Sequence, residues 1–265
     1  MKHLTLLALT LFPALLPAAP EPPDAGWDLF WSEEFDADRI DESRWSRCAR
    51  GKADWSDTMS EDARLFEVGG GTIKLRGIVN PDTQADPAPF LTGGLTSAGK
   101  FSFLYGRIEI RARFQSAQGA WPALWMMRED RTGAESYGEF DLMEHLNFDT
   151  FVHQTLHSHY TLKIDRTRTP TNHITATIDR DGWNTYGAIW EPDRIVFTVN
   201  GQPTLTYPRV PEKGAAQWPY DSPFYLILSM QIGGKWVGAA DPANYPAQLE
   251  IDWVRVWRQR PVASP

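Results

Sequence analysis

The chain has 265 residues, long for one average domain but within the range of a single β-sandwich or barrel, with ample length to bury a large core. A formal net charge of −8 argues against nucleic acid as a partner and points to a neutral substrate. Twelve tryptophans exceed what a core of this size needs; each offers a flat apolar face with one polar edge, suited to stacking on flat ligands as well as to packing.

The first residues read MKHLTLLALTLFPALLPAAPEP. Lys2 and His3 precede an apolar run from Leu4 to Leu16, and small residues follow at Ala18 and Ala19. That is the layout of an export signal over residues 1–19, too short to span a bilayer, and Pro13 and Pro17 count against a buried helix. The expected destination is the periplasm, the cell surface or the medium. Nothing later approaches the roughly 18 apolar residues a spanning helix requires, so no membrane partner is expected. Cys48 is the only cysteine, which leaves no internal disulfide and makes packing the source of stability.

Beyond the leader the chain reads as strands. RLFEVGGGTIKLRGI predicts a hairpin with a glycine-rich turn, and NPDTQADPAPFLTGG a long loop. YGRIEIRARF alternates, with Ile108, Ile110 and Ala112 on one face and Arg107, Glu109, Arg111 and Arg113 on the other. KIDRTRTPTNHITATIDRDGW, rich in Thr, Asn, Asp and Pro, predicts a second long loop. RIVFTVNGQPTLTY is a hairpin around Asn200-Gly201, a strong turn signal. FYLILSMQIGG and LEIDWVRVW are further strands. Without sustained helical periodicity or an internal repeat, the pattern predicts an all-β antiparallel sandwich or barrel. One domain is expected over residues 20–260, with 261–265 as a tail.

The stretch GEFDLMEHL carries Glu139, Asp141 and Glu144 within six positions. On a helix these would scatter at 100° per residue. On a regular strand Glu139 and Asp141 share a face and Glu144 lies on the other; a one-residue bulge near Leu142–Met143 would bring Glu144 back. Three acids in six positions also suit a solvated acidic edge or a Ca²⁺ loop, but Phe140 and Met143 between them are foreign to an oxygen-ligand loop. Acids this close cannot all ionise, so at least one holds a raised pKa and serves as a general acid. That pairing suits glycoside hydrolysis, with retention or inversion set by a carboxyl separation that sequence leaves open.

GEFDLME resembles the E-x-D-x-x-E catalytic strand of glycoside hydrolase family 16, retaining endo-β-glycanases with a β-jelly-roll fold. YGRIEIRARF with GAWPALWMM is similar to the strands preceding it. TYGAIWEPDRIVFTVNG, WPYDSPFYLILSMQIGGKWVG, IDWVRVW and LFWSEEFD resemble the remaining segments in family order, from Trp27 to Trp257. The resemblance implies two antiparallel sheets with a concave cleft, Glu139 as nucleophile, Glu144 as acid/base and Asp141 as assisting carboxylate. Trp121 and Trp125 match cleft tryptophans, Trp236 a further cleft position and His157 a position beside the catalytic strand; Gln231 is a further candidate for substrate binding. Phe140 departs from the usual aliphatic residue. Ser229, Gln231 and Val237 depart from the laminarinase-like pattern and put β-1,3-glucanase activity in doubt. MEHLNFD, HQTLHSHYT and the Gln217–Gly238 segment are instead similar to members that cut host glycans. Those are endo-β-1,4-galactosidases acting inside poly-N-acetyllactosamine and mucin-type O-glycans.

His153, His157 and His159 fall at period two and could seat a metal, although structural hydrogen bonding suits His153 and His159 better. The resemblance also suggests a structural Ca²⁺ near Glu34, Gly70 and Asp252; catalysis itself needs no cofactor. The expectation is thus a monomer acting on an oligosaccharide, polysaccharide or glycoprotein glycan. The rivals are an endo-β-1,3-glucanase, a non-catalytic lectin-like module, which would gain nothing from mutually repelling acids, and a histidine-based metal hydrolase.

Overall fold

The computed structural model describes residues 26–261, so the expected leader and all of the tail but Pro261 lie outside the described residues. Two antiparallel sheets face each other. One runs, edge to edge, through 202–208, 194–199, 184–190, 106–114, 247–259, 72–79 and 66–69, with Trp27–Glu33 and Phe90–Thr92 paired alongside. The other runs through 173–177, 151–158, 138–144, 120–128, 224–232, 94–96 and 46–47, with Ser102–Phe103 at its side. This is the expected β-jelly-roll sandwich.

Alternation in the sequence becomes sidedness in the fold. Ile108, Ile110 and Ala112 are fully buried between the sheets, while their arginine neighbours stand outside and pair with acids: Arg113 with Glu250 and Arg111 with Asp252. Both predicted hairpins form, Phe66–Gly69 with Thr72–Val79 and Arg194–Val199 with Gln202–Pro208. At the second, Asn200 and Gly201 take φ of 50° and 75°, the left-handed pair a two-residue turn requires.

Two expectations need correction. The stretch 80–94 was expected as loop but holds Phe90–Thr92 and begins the strand Gly94–Thr96. The stretch 163–183 contains His173–Thr177, paired in full register with Phe151–Thr155. Both are short segments flanked by turn residues, and they form only where a neighbouring strand supplies the ladder. His159 also leaves its expected strand, which ends at Ser158; it precedes a single π-helical turn over Tyr160–Ile164.

Aromatic rings hold the sheets together behind the acids. Phe140 is fully buried and meets Tyr220 and Phe224 at 4.9 Å and Trp190 at 5.1 Å between ring centroids. Trp190 donates its indole N–H to the Tyr220 carbonyl at 3.0 Å, so the one polar atom of that ring is satisfied inside the core. Phe140, the departure from the family pattern, thus fills the centre of an aromatic cluster. Phe140→Ala is expected to lower the unfolding free energy by about 3–5 kcal/mol through the cavity it leaves, read from the urea midpoint; a cost under about 1 kcal/mol would mean that the cluster closes around the gap.

Candidate active site

The strand Gly138–Glu144 lies between Ala120–Arg128 and Phe151–Ser158. Its register against Ala120–Arg128 pairs Asp141 with Trp125 but Met143 with Leu124, so one residue is extra between them. That is the expected bulge. It turns Leu142 and Met143 into the core together with Phe140 and returns Glu144 to the face of Glu139 and Asp141. The acids hold their positions because apolar neighbours on both sides of the bulge are buried completely.

The carboxyl groups have different surroundings. Tyr137, two residues before Glu139 and therefore on its face, donates its hydroxyl to Glu139 Oε2 at 2.5 Å. Burial, reinforced by the charge on Glu139, raises the Tyr137 phenol and keeps it a donor. Asp141 is buried, and its Oδ2 lacks a hydrogen-bond partner; His157 Nε2 stands 3.3 Å from it and 3.9 Å from Glu139 Oε1. Burial first, then the charges of Glu139 and Glu144, raise Asp141 well above the usual carboxylate range. Burial also pushes Glu144 up to about 8, with the Glu139 charge adding and the Trp121 N–H, donated to Glu144 Oε1 at 3.0 Å, opposing. His157 is lowered, chiefly by burial, so at neutral pH it faces Asp141 as a neutral ring. Glu144 therefore keeps a proton at neutral pH beside Glu139, which matches the acid-plus-nucleophile requirement of glycosidic cleavage.

A cavity of about 700 Å³ opens over these groups. Trp121, Trp236, His157, Glu139 and Glu144 line it, as expected from the sequence. Trp236 is 48% exposed and meets Trp121 edge-on at 5.4 Å, leaving an apolar ring free for a sugar face. Trp125 and Gln231 sit elsewhere. They are buried and do not line this cavity; Trp125 packs against Trp55 at 4.9 Å, and both N–H groups reach the Ser229 hydroxyl, at 3.1 and 2.9 Å. Gln231 Oε1 is buried with no partner among the described residues.

The metal expectations fare differently. His159 is off the strand, and His153 instead meets His173 at 3.0 Å between ring nitrogens, so the three histidines do not converge. Near the chain ends, Arg255 donates to both Glu34 oxygens at 3.0 and 2.8 Å, and Arg111 pairs with Asp252. Acids neutralised by separate arginines do not fit a Ca²⁺ site with Gly70, which occupies a hairpin turn. Among the described residues, only Glu139, Asp141 and His157 bring three ligand-type atoms within 4.8 Å of one another; the same closeness is what proton sharing between them requires.

Sequence reasoning missed Tyr137, Trp55, His173, Arg166 and Arg168. Tyr137 carried a signal, since period two from Glu139 places it on the acid face. The others come from segments whose spacing says nothing of the cleft.

Because folded Glu144 holds its proton up to about 8 against an ordinary 4.5, the native chain binds an extra proton between those values. Stability is therefore expected to fall as pH rises through that window, with buried Asp141 contributing the same sign. Glu144→Gln, neutral throughout, should flatten the slope in denaturant titrations across that range; an unchanged slope would remove Glu144 as its source.

The family model for glycosyl hydrolases family 16 matches residues 58–255. A keratan-sulfate endo-1,4-beta-galactosidase from Sphingobacterium multivorum is 37% identical over 236 residues, covering 88% of this chain and 55% of that protein, so the chain spans about half the relative's length. The laminarinase structure from Rhodothermus marinus superposes with a TM-score of 0.78 at 30% identity, covering 89% of this chain and 98% of the other. A structure from work on endo-acting O-glycanases that human gut microbiota express to initiate mucin breakdown gives 0.75 at 25% identity, covering 86% and 98%. The jelly roll, the bulged acid strand and a family match over most of the sandwich agree, and the chain belongs to glycoside hydrolase family 16.

Proposed function

We propose that the protein is an exported, retaining endo-β-galactosidase that cuts internal β-1,4-galactosyl bonds in poly-N-acetyllactosamine or mucin-type O-glycans. The observation that carries the chemistry is Glu144, pushed up to about 8, beside Glu139 across one bulge. Glu139 attacks the anomeric carbon while Glu144 gives its proton to the leaving glycosidic oxygen. A water then enters, Glu144 takes its proton, and the glycosyl–Glu139 ester is hydrolysed. Asp141 shares its proton with Glu139 in the resting site and releases the carboxylate as attack begins. The hydroxyl of Tyr137 orients Glu139. Trp121 has two roles: its N–H steadies Glu144 as it ionises, and its ring walls the cleft with Trp236.

The substrate class is supported by the keratan-sulfate-cleaving relative and by the mucin-related structural neighbour. Departures at Ser229, Gln231 and Val237 argue in the same direction. Trp125 and Gln231, which do not line the cavity, tie Ala120–Arg128, the neighbour of the acid strand, to Phe224–Ile232 through the Ser229 hydroxyl.

Porcine mucin and laminarin, each incubated with the protein and with Glu139→Gln, separate the readings by their products. Oligosaccharides with reducing galactose, released from mucin alone and absent with the variant, are the expected result. Glucose oligomers from laminarin would instead identify a β-1,3-glucanase, and no product from either would point to a binding module. Glu144→Gln is expected to cut kcat/KM for the natural glycan by about 10²–10⁴-fold through loss of the proton donor.

A further inference from the structure

One wall of the cleft runs against the charge of the whole chain. Between the strands Phe151–Ser158 and His173–Thr177, residues 159–172 form an arm that brings Arg166, Arg168 and Asn172 to the cavity that Glu139 and Glu144 also line. Neither arginine forms an ion pair with an acid among the described residues. Arg168 meets only His173, Nη1 to Nδ1 at 3.3 Å. The acid next to them, Asp165, is occupied: it accepts from the Thr167 amide at 2.8 Å, the Thr167 hydroxyl at 2.5 Å and the Tyr160 hydroxyl at 2.7 Å.

The arm is fixed at its base. Lys213 Nζ donates to the Tyr160 hydroxyl and to the Thr169 carbonyl, each at 2.6 Å, and Asn172 Nδ2 donates to the Leu156 carbonyl at 2.9 Å. Asn172 is 5% exposed, and its Oδ1 is buried with no partner. The arm thus presents two guanidinium groups without acid partners among the described residues to the space a glycan would fill. The positive field reaches into the cleft, since Arg168 helps to hold both His157 and His173 in their neutral forms.

We propose that this arm is a subsite for an anionic substituent on the glycan, a sulfate ester or a sugar carboxylate, bound by Arg166 and Arg168. The proposal rests on the galactosidase reading for its glycan, and it qualifies the expectation of a neutral substrate drawn from net charge. Glu139 lies within the same cavity and repels any anion there unless cations compensate. Guanidinium groups suit oxyanions because their planar fork can donate two parallel hydrogen bonds.

The test is made in a Glu139→Gln background, so that binding is read without cleavage. Keratan oligosaccharides carrying O-sulfate, their chemically desulfated counterparts and sialylated chains of equal length are titrated calorimetrically. Replacing both Arg166 and Arg168 with Gln is expected to weaken an anionic chain by about tenfold or more, and the desulfated chain by less than about twofold. Rising salt should erode the preference in the parent and not in the double variant. Loss confined to the sulfated or to the sialylated chain supports the proposal and identifies the anion. Equal weakening of all three chains, no weakening, or no binding of any chain overturns it. With Glu139 restored, arginine-dependent binding of keratan chains that are never cut would leave the subsite standing and remove the galactosidase activity. Equal cleavage by the parent and the double variant would do the reverse.

Discussion

Three carboxyl groups on one strand face, none of them far from the others, set the terms for this molecule. Each ionisation raises the cost of the next, and burial raises it again for Asp141 and Glu144. A flexible loop would relieve that repulsion by spreading the acids into water. Here they are fixed in a strand between two hydrogen-bonded neighbours. The strand is pinned from behind by Phe140, Leu142 and Met143, all fully buried. The repulsion is therefore stored as bound protons, the form in which acid catalysis can use it. The sandwich acts as a rigid backing for a group that would otherwise disperse.

The bulge is the smallest feature on which this depends. A period of two would place Glu144 in the core, where an unpaired carboxyl is costly, and bring Met143 out of the hydrophobic layer onto the acid face. One extra residue settles both conflicts together. It also sets Glu144 within reach of Trp121 from the adjacent strand, so the ring that walls the cleft also donates to the acid within it. Position and protonation state have the same structural origin.

Polar commitments mark which parts of the surface are structural and which are available. On the outer sheet, Arg111, Arg113 and Arg255 each have an acid partner, so those charges stabilise the surface and leave nothing for a ligand. Around the cleft the pattern changes. Among the described residues, Asp141 Oδ2 and Asn172 Oδ1 are buried without partners, and the two arginines of the arm have no acid paired with them. Buried polar groups are ordinarily satisfied. Exceptions occur at several places in the sandwich, and two of them, Asp141 and Asn172, belong to the acid group and to the cavity wall.

Much of this was written in the chain itself. Alternation in YGRIEIRARF, the Asn200-Gly201 turn and the spacing of Glu139, Asp141 and Glu144 are local patterns. Local patterns determined the β class, the hairpins and the closeness of the acids, because side-chain direction in a strand follows from period alone; the bulge that departs from that period is seen in the strand register. Tyr137 was legible by the same rule and was overlooked. Other features depend on contacts between residues remote in sequence. The short strand His173–Thr177 exists because Phe151–Thr155 supplies its ladder, and His153 finds His173 in place of His159 only through that pairing. Likewise, the arginines that neutralise Glu34 and Asp252 lie 221 and 141 residues away in the chain, so a pair of acids that reads as a cation site in sequence is already compensated in space. The sequence by itself decided which groups stand on the acid strand and that Glu139 and Asp141 share a face. Only the tertiary structure decided what surrounds them, because burial, hydrogen bonding and charge compensation are properties of neighbours that the chain brings together by folding.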